Sequence, residues 1–134
     1  MTEPKGYRGY ITSRPFFGER VPQHVQQLVI RDYCSRRALP FLLSATEYAM
    51  PGCFMMLNSV ADQLPELDGI VLYSIFMLPT AASARSALYA QARRAGASLH
   101  GALEDFAIVT DDDARRVEDL WLVRSFMDRQ GKRS

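Results

Sequence analysis

Only a few side chains in this sequence could do chemistry, and they cluster between apolar runs. Ser13 and Arg14 follow the β-prone segment GYITS, and Ser44, Thr46, Glu47, Tyr48 and Cys53 crowd the stretch SATEYAMPGC. Tyr73 and Ser74 interrupt the run GIVLYSIFML, Glu104 and Asp105 close the segment ALED, and His24 precedes a helical pattern. Glu47, His24 and Glu104 are the candidate catalytic groups. Partial burial beside Tyr48 would bring Glu47 toward the range useful in acid-base catalysis, and imidazole titrates near neutrality unaided. Each has a plainer role open to it: Glu47 could hydrogen-bond loop backbone, His24 could be solvated, and Glu104 with Asp105 could cap a turn.

Binding groups surround these candidates. Arg14, close to a helix start, could hold a phosphate or carboxylate between its guanidinium and the exposed N–H groups, or could be an ordinary surface arginine. Ser13 is a nucleophile only if a base activates it; otherwise it hydrogen-bonds a substrate, as would Ser44, Thr46, Tyr48, Tyr73 and Ser74. Cys53 precedes a helix that could favour its thiolate, with a structural thiol as the alternative. Neither G-x-x-x-x-G-K-S/T nor G-x-G-x-x-G occurs, and Cys34, Cys53 and two histidines make no ligand cluster. No metal and no cofactor are expected.

The elements that must carry these groups alternate. Residues 9–13 read as a strand, and Val21, Val25, Leu28, Val29 and Tyr33 recur at helical spacing up to about Arg37. Residues 41–44 form a second strand and residues 54–64 a second helix; the apolar run from Gly69 is a strand buried on both faces. Thr80 starts a helix through Ala95, residues 98–103 and 106–109 are strands, and Thr110 with Asp111, Asp112 and Asp113 opens a last helix. This order predicts an α/β fold: one three-layer domain over residues 1–127, with a mainly parallel four- or five-stranded sheet, flavodoxin-like or resolvase-like, and a polar frayed tail at 128–134. In such a sheet the loops after the strands converge at the carboxyl edge, where Ser13, Thr46, Glu47 and Glu104 should share a cleft.

Composition narrows the function. The chain has 134 residues, 48% hydrophobic and 23% charged, which suits one globular domain. Its 16 Lys+Arg against 15 Asp+Glu leave a charge of +1, so no nucleic-acid partner is expected. No apolar stretch approaches the roughly eighteen residues of a membrane span and no secretory core is present, so a cytoplasmic protein with reduced thiols and no membrane partner is expected.

The motifs GYRGYITSRP, VPQHVQQLVIRDYC, LLSATEYAMPGC, DGIVLYSIFMLP and ALED, with the closing VEDLWLV, resemble a family of small proteins from sporadic bacterial carbohydrate-biosynthesis clusters. The resemblance implies a part in making an unusual sugar or a sugar-containing product. More distantly, GYITSR, the helix with Gln27 and Tyr33, the strand around Val71 and ALED are similar to the layout of the serine recombinase catalytic domain. Ser13 then falls one residue out of register with that family's nucleophile, and YSIFMLPTAAS stands where its arginines would follow the third strand. The resemblance therefore implies the fold without the recombinase activity. The resulting expectation is a metal-independent enzyme acting on a sugar or sugar phosphate by proton transfer, of isomerase or epimerase type. The alternative is a non-catalytic accessory subunit that binds a partner enzyme through an exposed apolar loop at Phe76 to Leu78, with homo-oligomerisation left open.

Overall fold

The computed structural model describes residues 5–13, 15–17, 20–47 and 54–131. The elements are β1 (Tyr7–Thr12), α1 (Gln23–Arg36), β2 (Phe41–Glu47), α2 (Met55–Asp62), β3 (Gly69–Leu72), α3 (Ala82–Arg94), β4 (Ser98–Gly101), β5 (Phe106–Ile108) and α4 (Asp111–Gly131). The strands form one five-stranded sheet in the order β2-β1-β3-β4-β5. All pairings are parallel except the antiparallel β4–β5 edge. This is the α/β fold with a mainly parallel sheet that the alternation of patterns predicts.

Right-handed crossovers place α1 on one face of this sheet and α2 with α3 on the other. Side chains agree with that division: Gln91 of α3 donates to the Ala61 carbonyl of α2, while Tyr33 of α1 meets His100 of β4. Every residue of β3 is buried, as a strand covered on both faces should be. The start of α4 is a reciprocal box: Thr110 Oγ1 accepts the Asp113 N–H, and Asp113 Oδ2 accepts the N–H groups of Val109 and Thr110. Those two N–H groups hold the Asp113 carboxyl below its usual range.

Three elements end elsewhere than the sequence predicts. β2 continues to Glu47 because Gly9, Tyr10, Ile11 and Thr12 pair with Ser44, Ala45, Thr46 and Glu47, so the candidate site residues Thr46 and Glu47 lie in a strand and not in a loop. The third strand stops at Leu72, and the rest of its apolar run folds into a 3-10 turn over Ile75–Met77. That turn is held from two sides, by Glu104 Oε1 accepting the Ile75 N–H and by the Trp121 indole donating to the Ile75 carbonyl. Met77 and Leu78 are accordingly buried and Phe76 half-buried, so the apolar loop is not the exposed surface expected for partner binding. Finally, α4 absorbs residues 128–131 of the expected tail.

A polar seam crosses the core under α1. His100, 5% exposed, has Nδ1 2.5 Å from the Tyr33 hydroxyl and Nε2 2.7 Å from Ser98 Oγ. The Tyr7 ring meets the imidazole edge-on. Burial, helped by the Arg37 charge, lowers the His100 pKa to about 4, and burial raises that of Tyr33 to about 12.

Candidate functional site

β1 lies between β2 and β3, so the chain leaves it in one direction and crosses back in the other. The crevice at such a reversal, beyond the carboxyl ends of β1 and β3, is where open α/β sheets receive ligands. Ser13 and the pair Tyr73 and Ser74 follow the ends of β1 and β3 there.

Ser13 is positioned by its neighbours more than by its own bonds. The preceding Thr12 is clamped by Gln26, a buried residue of α1: Thr12 N–H donates to Gln26 Oε1 at 3.0 Å, and Gln26 Nε2 donates to the carbonyls of Thr12 at 2.7 Å and Val21 at 2.8 Å. One amide thus closes both ends of the connection between β1 and α1. Ser13 N–H donates to the Glu47 carbonyl at 3.2 Å, and its half-buried hydroxyl reaches the same oxygen only at 3.4 Å, a long bond that a ligand oxygen could replace.

Glu47 is 1% exposed. Its carboxylate accepts from the Tyr10 hydroxyl at 3.0 Å, from the Met56 N–H at 3.1 Å and from the Leu57 N–H at 3.3 Å. It therefore sits on the first turn of α2, whose N-cap residue Phe54 makes no side-chain cap bond, and supplies the negative group that helix ends attract. Ser44 donates to Gln27 Oε1 at 2.6 Å across the glycine at position 9, where a Cβ would collide with the Ser44 hydroxyl. Thr46 is half-buried opposite Ile11.

On the β3 side, Ser74 is fully buried and donates to Glu104 Oε2 at 2.6 Å while accepting the Phe76 N–H. Glu104 and Ser74 together build the 3-10 turn after β3. Tyr73, 6% exposed, packs its ring edge-on against Phe16. His24 is exposed on the first turn of α1. Arg14, Tyr48 and Cys53 lie outside the described residues. The structure thus brings Ser13, Glu47, Tyr73, Ser74 and Glu104 to one sheet edge, with both carboxylates engaged in holding backbone.

Sequence reasoning missed Gln26, Tyr10 and an aromatic group at the same edge. Phe17 meets Phe76 at 5.5 Å and Trp121 at 5.1 Å between ring centroids, and the Arg124 guanidinium lies over both phenylalanines. The doublet Phe16-Phe17 directly after a strand was the available signal.

No protein-family model and no curated protein matches the sequence. Among solved structures, the N-terminal catalytic domain of TP901-1 integrase shares the fold, with a TM-score of 0.60 over 92% of this chain and 98% of that domain, at 10% sequence identity. The fold is therefore resolvase-like, as the distant resemblance implies, whereas membership of a carbohydrate-cluster family finds no support. The likeness also corrects the expected partners. A fold shared with an integrase catalytic domain overturns the expectation of a sugar or sugar phosphate with nucleic acid excluded; a near-zero net charge describes the whole chain and does not decide what one crevice binds. Among the described residues no helix is long and apolar enough to cross a membrane.

Proposed function

We propose that this chain is a resolvase-fold domain that binds nucleic acid at the β1/β3 crevice without cutting it. The observation that carries this reading is the placement of Ser13: a hydroxyl with one long bond, at the point of chain reversal, in a fold shared with an integrase catalytic domain. Its role is to donate to a phosphate oxygen, with Arg14 next to it in sequence as the accompanying cation.

Cleavage would require cations to stabilise the charge that builds up on phosphorus. The segment after β3, Tyr73 to Pro79, contains none, and its Ser74 is held by Glu104 in building the 3-10 turn. Glu47, the other candidate for chemistry, is engaged by Tyr10 and the first turn of α2. Both features favour binding over turnover.

The test is fluorescence anisotropy with a labelled oligonucleotide, run beside a supercoiled-plasmid nicking assay. Saturable binding weakened several-fold by Ser13→Ala, with plasmid left intact, is the expected result. Nicking abolished by Ser13→Ala would replace the binding reading with a strand-cleaving one, and absence of binding at high protein concentration would refute both.

A further inference from the structure

We infer that the crevice takes unpaired nucleotides, so that the ligand is single-stranded nucleic acid with a base seated on the aromatic group at Phe16, Phe17 and Phe76; this rests on the binding reading given above. Phe16, Phe17 and Phe76 are each half-buried, packed against the core without being enclosed by it. The guanidinium of Arg124 lies 5.2 Å from the Phe17 centroid and 5.3 Å from that of Phe76, which puts a planar cation against the same rings. Aromatic faces next to a guanidinium are what unpaired bases stack on, whereas bases inside a duplex already stack on one another and offer no free face.

The backbone adds a second, independent indication. Phe17 has φ 49°, in the left-handed region that a bulky side chain rarely adopts. Such strain persists where surrounding structure enforces it, and it clusters at ligand clamps. Here it turns the Phe17 ring onto Phe76 and Trp121 at the edge of the crevice.

The occupant that fits is a short single strand crossing the edge, one phosphate at Ser13 and one base on the rings.

The experiment compares a labelled twenty-nucleotide oligothymidylate with a duplex of equal length, at two salt concentrations. It uses the wild-type chain and the variants Phe16→Leu, Phe17→Leu and Ser13→Ala, each checked for folding by circular dichroism. The single strand should bind at least about tenfold tighter than the duplex at both salt concentrations. Each leucine variant should lose about 5- to 100-fold in single-strand affinity, the loss typical of removing one stacked base. Trp121, the sole tryptophan and in contact with Phe17, should change its emission on binding. Equal affinity for both oligonucleotides, or a folded Phe16→Leu protein that binds the single strand normally, overturns this inference; if Ser13→Ala still weakens binding, the crevice reading survives alone. Binding of neither oligonucleotide overturns both.

Discussion

His100 makes the stability of this protein depend on pH in a way that one substitution can isolate. The imidazole is buried between Tyr33 and Ser98, and its pKa is lowered to about 4 from an ordinary value near 6.5. A group whose folded pKa lies below its unfolded pKa binds fewer protons when folded. Stability from the neutral seam is therefore complete above about pH 6.5 and declines as pH falls toward 4, at about 1.4 kcal/mol per unit. At pH 5 the loss from this residue is about 2 kcal/mol, and by pH 4 it is about 3 kcal/mol. The assay is urea unfolding followed by Trp121 emission at pH 7, 6, 5 and 4.5, for wild type and for His100→Gln. Glutamine can still bond to one of the two hydroxyls but does not titrate. Carboxylates such as Asp113 and Glu118, which are also perturbed, contribute equally to both proteins and cancel in the difference. The variant should be less stable at pH 7, with a gap that narrows by about 2 kcal/mol at pH 5. Parallel stability curves for the two proteins across this range would refute the assignment of a buried, neutral imidazole.

Three further substitutions test the account of the site. Gln26→Leu strands the Thr12 N–H and two carbonyls in a buried place and should cost about 3 kcal/mol, with amide exchange at Thr12 and Ser13 accelerating first; normal exchange there would show that the clamp does not hold β1. Glu47→Leu removes the acceptor for Tyr10 and for the first turn of α2 and should cost about 3 kcal/mol in urea unfolding, whereas Glu47→Gln, which keeps one acceptor oxygen, should lose markedly less; equal losses would argue against the cap. Gly9→Ala drives a methyl group into the Ser44 hydroxyl and should destabilise by about 1–3 kcal/mol, with Ser44→Ala partly restoring stability in the double variant; additive effects would contradict that contact.

The architecture was legible because its signals are local and repeated. The apolar run from Gly69, the spacing of Val25, Val29 and Tyr33, and the Thr110 to Asp113 helix start each report on one element, and their order yields the parallel sheet. The limits of those elements depend on distant partners. β2 reaches Glu47 because β1 is there to pair with it, and the third strand ends at Leu72 because Glu104 and Trp121, 29 and 46 residues from Ile75, seize the Ile75 peptide groups. The site was half legible for the same reason. Strand order yields the expectation that Ser13, Thr46, Glu47 and Glu104 share a cleft at one edge, but nothing in the residue types reveals that Glu47 would be taken up by the start of α2, nor that Gln26, an ordinary member of an amphipathic helix by sequence, would hold Thr12. The left-handed Phe17 was equally hidden, because sequence marks such positions through glycine or asparagine and here they hold an aromatic.

The most direct test of the central claim is a nuclear magnetic resonance titration of the ¹⁵N-labelled chain with a short oligonucleotide, following backbone amides through the additions. The resonances that move should belong to Ser13, Phe16, Phe17, Tyr73, Ser74 and Phe76, at the carboxyl edge between β1 and β3, while Lys5, Asp68 and Ser98 at the opposite edge stay still. A set of shifts centred on the opposite edge or along α4, or no shifts at millimolar oligonucleotide, would contradict the assignment of this crevice as a nucleic-acid site.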